Sequence, residues 1–132
     1  MERPRLLIDT SIIIEHLRKR NRRKSILYRI ADAYDLCTST IVEFELYAGA
    51  TDAEKQHDVQ EILAWCIVLP FTSEAALAAS AVYRNLKTAN QLIEVRDLFI
   101  AATALTYDLP LMALNTGHFD RIDRLRLNSP LS

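Results

Sequence analysis

The sequence predicts an α/β fold: a single domain with a mostly parallel central sheet and helices on both faces. Three observations lead there. Short apolar runs at Leu6-Leu7-Ile8, Ile67-Val68-Leu69 and Leu111-Met112-Ala113-Leu114 have the length and composition of buried strands. Longer stretches between them place apolar residues at helical spacing. Strands alternating with helices favour a parallel sheet, because each crossover returns the chain to the same edge. A chain of 132 residues suits one domain with one core, and half of its residues are hydrophobic, so burial is not limiting.

The elements follow in order. The first run leads straight into Asp9, Thr10 and Ser11, then Ile12-Ile13-Ile14. A strand therefore ends and a helix begins at Asp9, with Thr10 and Ser11 as N-cap candidates. In open α/β sheets that edge is where ligands bind. Asp9 is either a helix cap or a site residue. The helix runs on to Leu17 and meets a basic stretch: Arg18, Lys19, Arg20, Arg22, Arg23 and Lys24. Such a run is either a solvated helix end or a phosphate-contacting patch.

Residues 26–33 are expected to be helical, with Ile26, Leu27 and Ile30 on one side. Residues 35–39 form a short strand. A helix starts at Thr40, with Ile41, Phe44 and Ala48 on its apolar side, Leu46 on a flank and Gly49 as C-cap. It carries Glu43 and Glu45, which lie two apart, so at most one can face a given site squarely. Residues 52–66 form an amphipathic helix through Val59, Ile62, Leu63 and Cys66. The next strand, 67–69, is stopped by Pro70. Ser73 caps an alanine-rich helix from Glu74 to Leu86, and residues 87–91 are a polar break. Residues 97–105 are apolar nearly all round and read as a buried helix. Asp97 stands in its first turn, where the helix dipole favours a carboxylate. The chain turns at 107–110, forms the strand 111–114 and reaches Asn115. Residues 125–127 are expected to add an edge strand.

Net charge is -1, which excludes a globally basic nucleic-acid binder; the six positive charges between Arg18 and Lys24 are a local exception. No apolar run is long enough to span a bilayer and no signal peptide is read, so no membrane partner is expected. Cys37 and Cys66 lie in apolar surroundings without metal-ligand spacing, as reduced core residues of a cytoplasmic protein would.

Asp9 and Asn115 fall just past strand ends and Asp97 at a helix start, so all three can converge on one sheet edge. Gathered carboxylates repel unless a cation neutralises them. Arg96 adjoins Asp97, but neighbours on a helix point in different directions, so adjacency does not make it that cation. Hard oxygen ligands suit Mg²⁺ or Mn²⁺, which activate water and stabilise a phosphoryl transition state. The sequence has no His/Cys cluster for zinc, no Gly-rich phosphate loop and no GxSxG elbow. His16, His57 and His118 are isolated and read as ordinary histidines.

Four stretches carry a family likeness: Leu7-Ile8-Asp9-Thr10-Ser11; residues 39–49 with Phe44-Glu45-Leu46-Tyr47-Ala48-Gly49; Arg96-Asp97-Leu98-Phe99-Ile100-Ala101-Ala102; and Leu114-Asn115-Thr116-Gly117-His118-Phe119. Over nearly its whole length the chain resembles a PIN domain, and most of all the VapC-type toxins of prokaryotic toxin–antitoxin pairs. The resemblance implies a Mg²⁺- or Mn²⁺-dependent endoribonuclease acting on RNA, a homodimer, and a VapB-type antitoxin that blocks the active site. It assigns Asp9, Glu45 and Asp97 to the family's acids, with Asp9 and Asp97 holding the principal ion. Glu45 would complete the shell or orient the attacking water. Glu45 is preferred to Glu43 because it precedes Leu46 and stands four before Gly49. Thr10 or Ser11 would hydrogen-bond the ion's water shell, and Asn115 a water or a phosphate oxygen. In-line attack would leave a 5′-phosphate and a 3′-hydroxyl. The fourth motif departs from an all-acid site: Asn115 is aspartate in some members, and His118 stands where many have aspartate. Glu94 is a substitute one helical turn before Asp97. If like charges dominate the site, Asp97→Asn should raise stability without metal.

Three rival readings follow. A phosphoryl-accepting receiver domain needs a lysine near its last strand, and Lys19, Lys24, Lys55 and Lys87 are all elsewhere. A haloacid-dehalogenase-like phosphatase needs an aspartate two after the first, where Ser11 stands. A catalytically weak or inactive PIN-like RNA-binding or interaction module remains the alternative to the enzyme.

Overall fold

Leu6, Leu7 and Ile8 have no exposed surface, because the strand that carries them has a neighbour on each side. In the computed structural model, which describes residues 2–130, this strand β1 (Arg5–Ile8) pairs in parallel with β2 (Asp35–Ser39) and with β4 (Leu111–Met112). Leu6 lies opposite Leu36, Leu7 opposite both Cys37 and Leu111, and Ile8 opposite Met112. Strand β3 (Ile67–Leu69) extends the sheet beyond β2, with Cys37 opposite Ile67, to give the order β3-β2-β1-β4. The backbone N–H of Asp9 still donates to the Met112 carbonyl at 3.0 Å, so the ladder ends at the first acid.

Among the described residues, six α-helices join these strands: α1 (Thr10–Arg18), α2 (Ile26–Ile30), α3 (Thr40–Gly49), α4 (Ala53–Leu63), α5 (Ser73–Thr88) and α6 (Val95–Thr106). The crossovers β1-to-β2 and β2-to-β3 step in one direction across the sheet, while β3-to-β4 steps back past β1. Right-handed crossovers then put α1 to α4 on one face and α5 with α6 on the other. The reversal falls between β1 and β4, and the crevice beyond the carboxyl ends of those strands is the natural ligand position of an open α/β sheet. The expected fold class is therefore borne out. Among the described residues no helix is long and apolar enough to cross a membrane.

Several local expectations need correction. Neither Thr10 nor Ser11 caps α1; Asp9 is the N-cap residue and makes no side-chain cap bond, because its carboxylate is engaged elsewhere. Thr72, not Ser73, caps α5 by accepting from Ala75 N–H. The helix also runs on to Thr88, into the expected polar break. Helices α2 and α4 end before the expected Ala33 and Cys66, and β4 has two residues rather than four. The tail contributes one isolated bridge, Leu127 to Leu111, instead of a strand.

Helix α3 buries a different face from the one expected. Val42 and Leu46 are in the core, while Phe44 is 70% exposed and Ala48 is also outside. Apolar residues occur on every side of this helix, so periodicity cannot choose the inward face. Ser39 caps the helix, its side chain accepting from Val42 N–H, and packing against the core decides which face turns inward. Glu45, three residues after Val42, then lies beside the buried face. Gly49 is the last residue of α3 and keeps a negative φ, so it is not a left-handed cap.

Cys37 and Cys66 are both free thiols, and burial pushes each pKa up, Cys66 to about 12. Neither is a ready thiolate, in keeping with packing roles.

Candidate active site

Three elements deliver three acids to the switch point. Asp9 ends β1, Glu45 lies on α3 and Asp97 stands in the first turn of α6. Asp9 and Asp97 are buried, with 5% and 8% of their surface exposed. Carboxylates so placed must be paired and hydrogen-bonded to remain charged.

Their counter-charge is Arg96. Its Nε donates to Glu45 Oε2, its Nη1 to Asp97 Oδ1, and its Nη2 to Asp9 Oδ1 and Thr10 Oγ1, both at 2.8 Å. Adjacency in sequence alone does not establish this pairing. The Cα–Cβ bonds of residues 96 and 97 do diverge, but arginine has a long flexible stem and a forked head of five donors. That head bends back over its neighbour and reaches all three acids at once. Burial works against the charge on Arg96. The hydrogen bonds and charges of Glu45 and Asp9 outweigh it and hold its pKa above the ordinary arginine value.

The other carboxylate oxygens are also held, each by a different side chain. Ser11 Oγ donates to Asp9 Oδ2 at 3.2 Å and accepts from Leu114 N–H at 3.0 Å, tying Asp9 to the loop after β4. Thr10 Oγ1 donates to Glu45 Oε1 at 2.7 Å. His118 Nδ1 lies 2.6 Å from Asp97 Oδ2. A carboxylate can only accept, so Nδ1 carries the proton of that bond. Each acid thus has one oxygen fixed from outside and the other turned to the centre, where the guanidinium sits. Thr10 and Ser11 thus orient carboxylates.

Asn115 lies outside this network. It is exposed in the loop after β4, and its Oδ1 accepts from Gly117 N–H at 3.1 Å in a local turn. Its motif partner His118 is the residue that reaches an acid. Glu94 is the exposed N-cap residue of α6 and makes no side-chain cap bond. Among the described residues Glu43, half-buried, makes no hydrogen bond to these acids. The site residues that sequence reasoning did not assign are Arg96 as counter-ion and His118 as partner of Asp97. The signal for the first was its place beside Asp97.

The donors are all oxygens of carboxylates and hydroxyls, which match a hard divalent ion. Their spacing is that of an arginine clamp: among the described residues no three His, Cys, Asp or Glu side chains are grouped to hold an ion directly. Beside Glu45 opens a groove of about 560 Å³ between α1, α3 and α4, with Ile14, Leu17, Leu46 and Val59 among its lining and Arg18 and Lys55 at its rim. Of the basic stretch, Arg18 ends α1, Arg22 to Lys24 form a 3₁₀ turn, and all six cations are exposed.

The chain is similar to known proteins in sequence and in fold. The family model of the PIN domain matches residues 6–125. The chain is 32% identical over 130 residues to Ribonuclease VapC of Rickettsia bellii, covering 92% of this chain and 93% of that one. It is 30% identical over 127 residues to Ribonuclease VapC1 of Methanocaldococcus jannaschii, covering 96% and 87%. In structure it is similar to a chain of VapBC2 from Rickettsia felis bound to a DNA fragment from their promoter. That match has a TM-score of 0.84 at 21% identity and covers 95% of this chain and 98% of that one.

Proposed function

The chain belongs to the PIN domain family, and from that membership we propose that it is a divalent-metal-dependent endoribonuclease, the toxin of a VapBC-type pair. One observation carries the reading. Three carboxylates from three separate elements each turn one oxygen to the same guanidinium, that of Arg96, beyond the carboxyl end of β1. Relatives 30% and 32% identical to this chain are named ribonucleases.

Asp9, Asp97 and Glu45 are the residues that would hold Mg²⁺ or Mn²⁺. When bound, such an ion would supply Lewis-acid polarisation of the scissile phosphodiester and a lowered pKa for the attacking water. The chain's own residues supply the rest. Ser11, Thr10 and His118 keep the outer carboxylate oxygens fixed, so the inner ones are already oriented. Asn115 spends its carbonyl oxygen on Gly117 N–H, which leaves its amide donors for a phosphate oxygen. The basic stretch begins one helix length from Asp9, about 14 Å along nine residues of α1, within reach of flanking phosphates.

Two partners complete the proposal. The groove beside Glu45 suits a VapB-type antitoxin segment with apolar side chains, whose seat there would cover the acids. A homodimer would cover exposed apolar residues such as Phe44, Leu77 and Val95, which are 70%, 72% and 56% exposed. The test is incubation of purified chain with structured RNA in Mn²⁺ or in EDTA, followed by end-group analysis. Cleavage in Mn²⁺ alone, leaving 5′-phosphates, is expected. RNA binding without cleavage in either condition would favour an inactive interaction module.

A further inference from the structure

The Arg96 guanidinium bonds the inner oxygen of each of the three acids. We infer that Arg96 and a divalent cation are alternative occupants of the acid cluster, so that the cation enters only as the guanidinium leaves Asp9, Glu45 and Asp97. The inference rests on the metal-dependent reading above and adds the occupant that metal must displace.

Three features support the exchange. The oxygens that face the guanidinium are Asp9 Oδ1, Glu45 Oε2 and Asp97 Oδ1, one from each acid, and these are the lone pairs an ion would take. The remaining oxygens are tied to Ser11, Thr10 and His118, so rotation of the carboxylates cannot offer a second set without breaking those bonds. A cation held by the inner oxygens would stand against the guanidinium, and like charges in a half-buried site repel strongly. Charge also favours the exchange. Three carboxylates against one guanidinium leave the cluster short of positive charge, and a divalent ion supplies more of it. The exit is available, because the Arg96 side chain is 28% exposed and sits in the first turn of α6 on a long aliphatic stem.

Arg96 on this account has two effects. It stabilises the buried acids when no ion is bound, and it weakens the ion's apparent affinity by the work of its own displacement. Any ligand that draws the guanidinium away, such as a phosphate oxygen of bound RNA, strengthens metal binding in turn.

The test is Mn²⁺ binding, read from the electron paramagnetic resonance of free Mn²⁺, in the wild-type chain and in Arg96→Gln. Arg96→Gln is expected to bind Mn²⁺ at least tenfold more tightly. In the wild-type chain the Arg96 Nε–H resonance is expected to move to the position of a solvent-exposed arginine as Mg²⁺ is added. Equal or weaker affinity in Arg96→Gln, or a resonance unmoved at saturating Mg²⁺, would overturn the exchange while leaving metal binding intact. Failure of both chains to bind Mn²⁺ would remove the metal-dependent reading itself, and the exchange with it. Should Arg96→Gln fail to fold, the wild-type resonance decides alone.

Discussion

Arg96 Nη2 donates to Asp9 Oδ1 at 2.8 Å across 87 positions of sequence, joining the end of the central strand to the first turn of the last helix. Without metal, this contact and its two companions are what permits buried carboxylates at the switch point. Arg96→Ala should therefore destabilise the metal-free protein by about 2 kcal/mol, less than the roughly 3–5 for a fully buried pair because the side chain is 28% exposed. Urea unfolding in EDTA measures it, and an unchanged midpoint would show that the guanidinium contributes nothing.

Asp97→Asn has an opposite sign to the one that like-charge repulsion alone suggests. The carboxylate accepts from both Arg96 and His118, and an amide cannot satisfy both donors as well. The variant should lose about 1–2 kcal/mol of metal-free stability. A gain in the same urea experiment would restore repulsion as the dominant force.

A pH effect is expected from His16, far from the acids. It is buried, with Nδ1 2.7 Å from Ser25 Oγ and its ring 5.6 Å from that of Trp65. Burial, helped by the charge of Arg22, lowers its pKa below the ordinary 6.5. The unfolded chain then binds the proton more readily than the folded one. The stabilisation is complete above pH 6.5 and is lost as pH falls below it, through the lowered folded value. His16→Gln should flatten the stability profile between about pH 5 and 7 relative to wild type. Parallel profiles would exclude this histidine as the cause.

The basic stretch should act through its unpaired members. Among the described residues, Lys19 pairs with Glu15 at 3.5 Å and Arg22 with Asp58 at 3.2 Å, whereas Arg18 at the end of α1 and, beyond it, Arg20, Arg23 and Lys24 form no ion pair. Replacing Arg20, Arg23 and Lys24 with glutamine should weaken RNA binding and reduce the salt slope by up to about 2, from roughly 0.7 per phosphate contact on single strands. Mn²⁺ binding should be unaffected. Unchanged affinity across a salt series would make the stretch a solvated helix end.

The parallel sheet was legible because its strands are short apolar runs separated by amphipathic helices, and periodicity reports burial directly. Asp9 was legible for the same reason, since it terminates the first run. The face of α3 was not, because Phe44 and Ala48 are as apolar as Val42 and Leu46 and only tertiary packing distinguishes them. The role of Arg96 was not legible, because backbone direction limits where a side chain starts but not where five donors on a long stem arrive. Asn115 and His118 share one loop, and which of them meets Asp97 depends on the turn that engages Asn115 Oδ1 with Gly117 N–H. Such choices belong to packing and local turns, which spacing along the chain does not encode.

The central claim is that the converging acids perform the cleavage, and single-turnover hydrolysis of labelled RNA by Asp9→Asn in saturating Mn²⁺ tests it most directly. Asp9 holds one inner oxygen of the cluster and ends the strand at its base, so its loss should lower the rate at least 100-fold relative to wild type purified in parallel. A variant that is folded by circular dichroism yet cleaves at the wild-type rate would contradict the account.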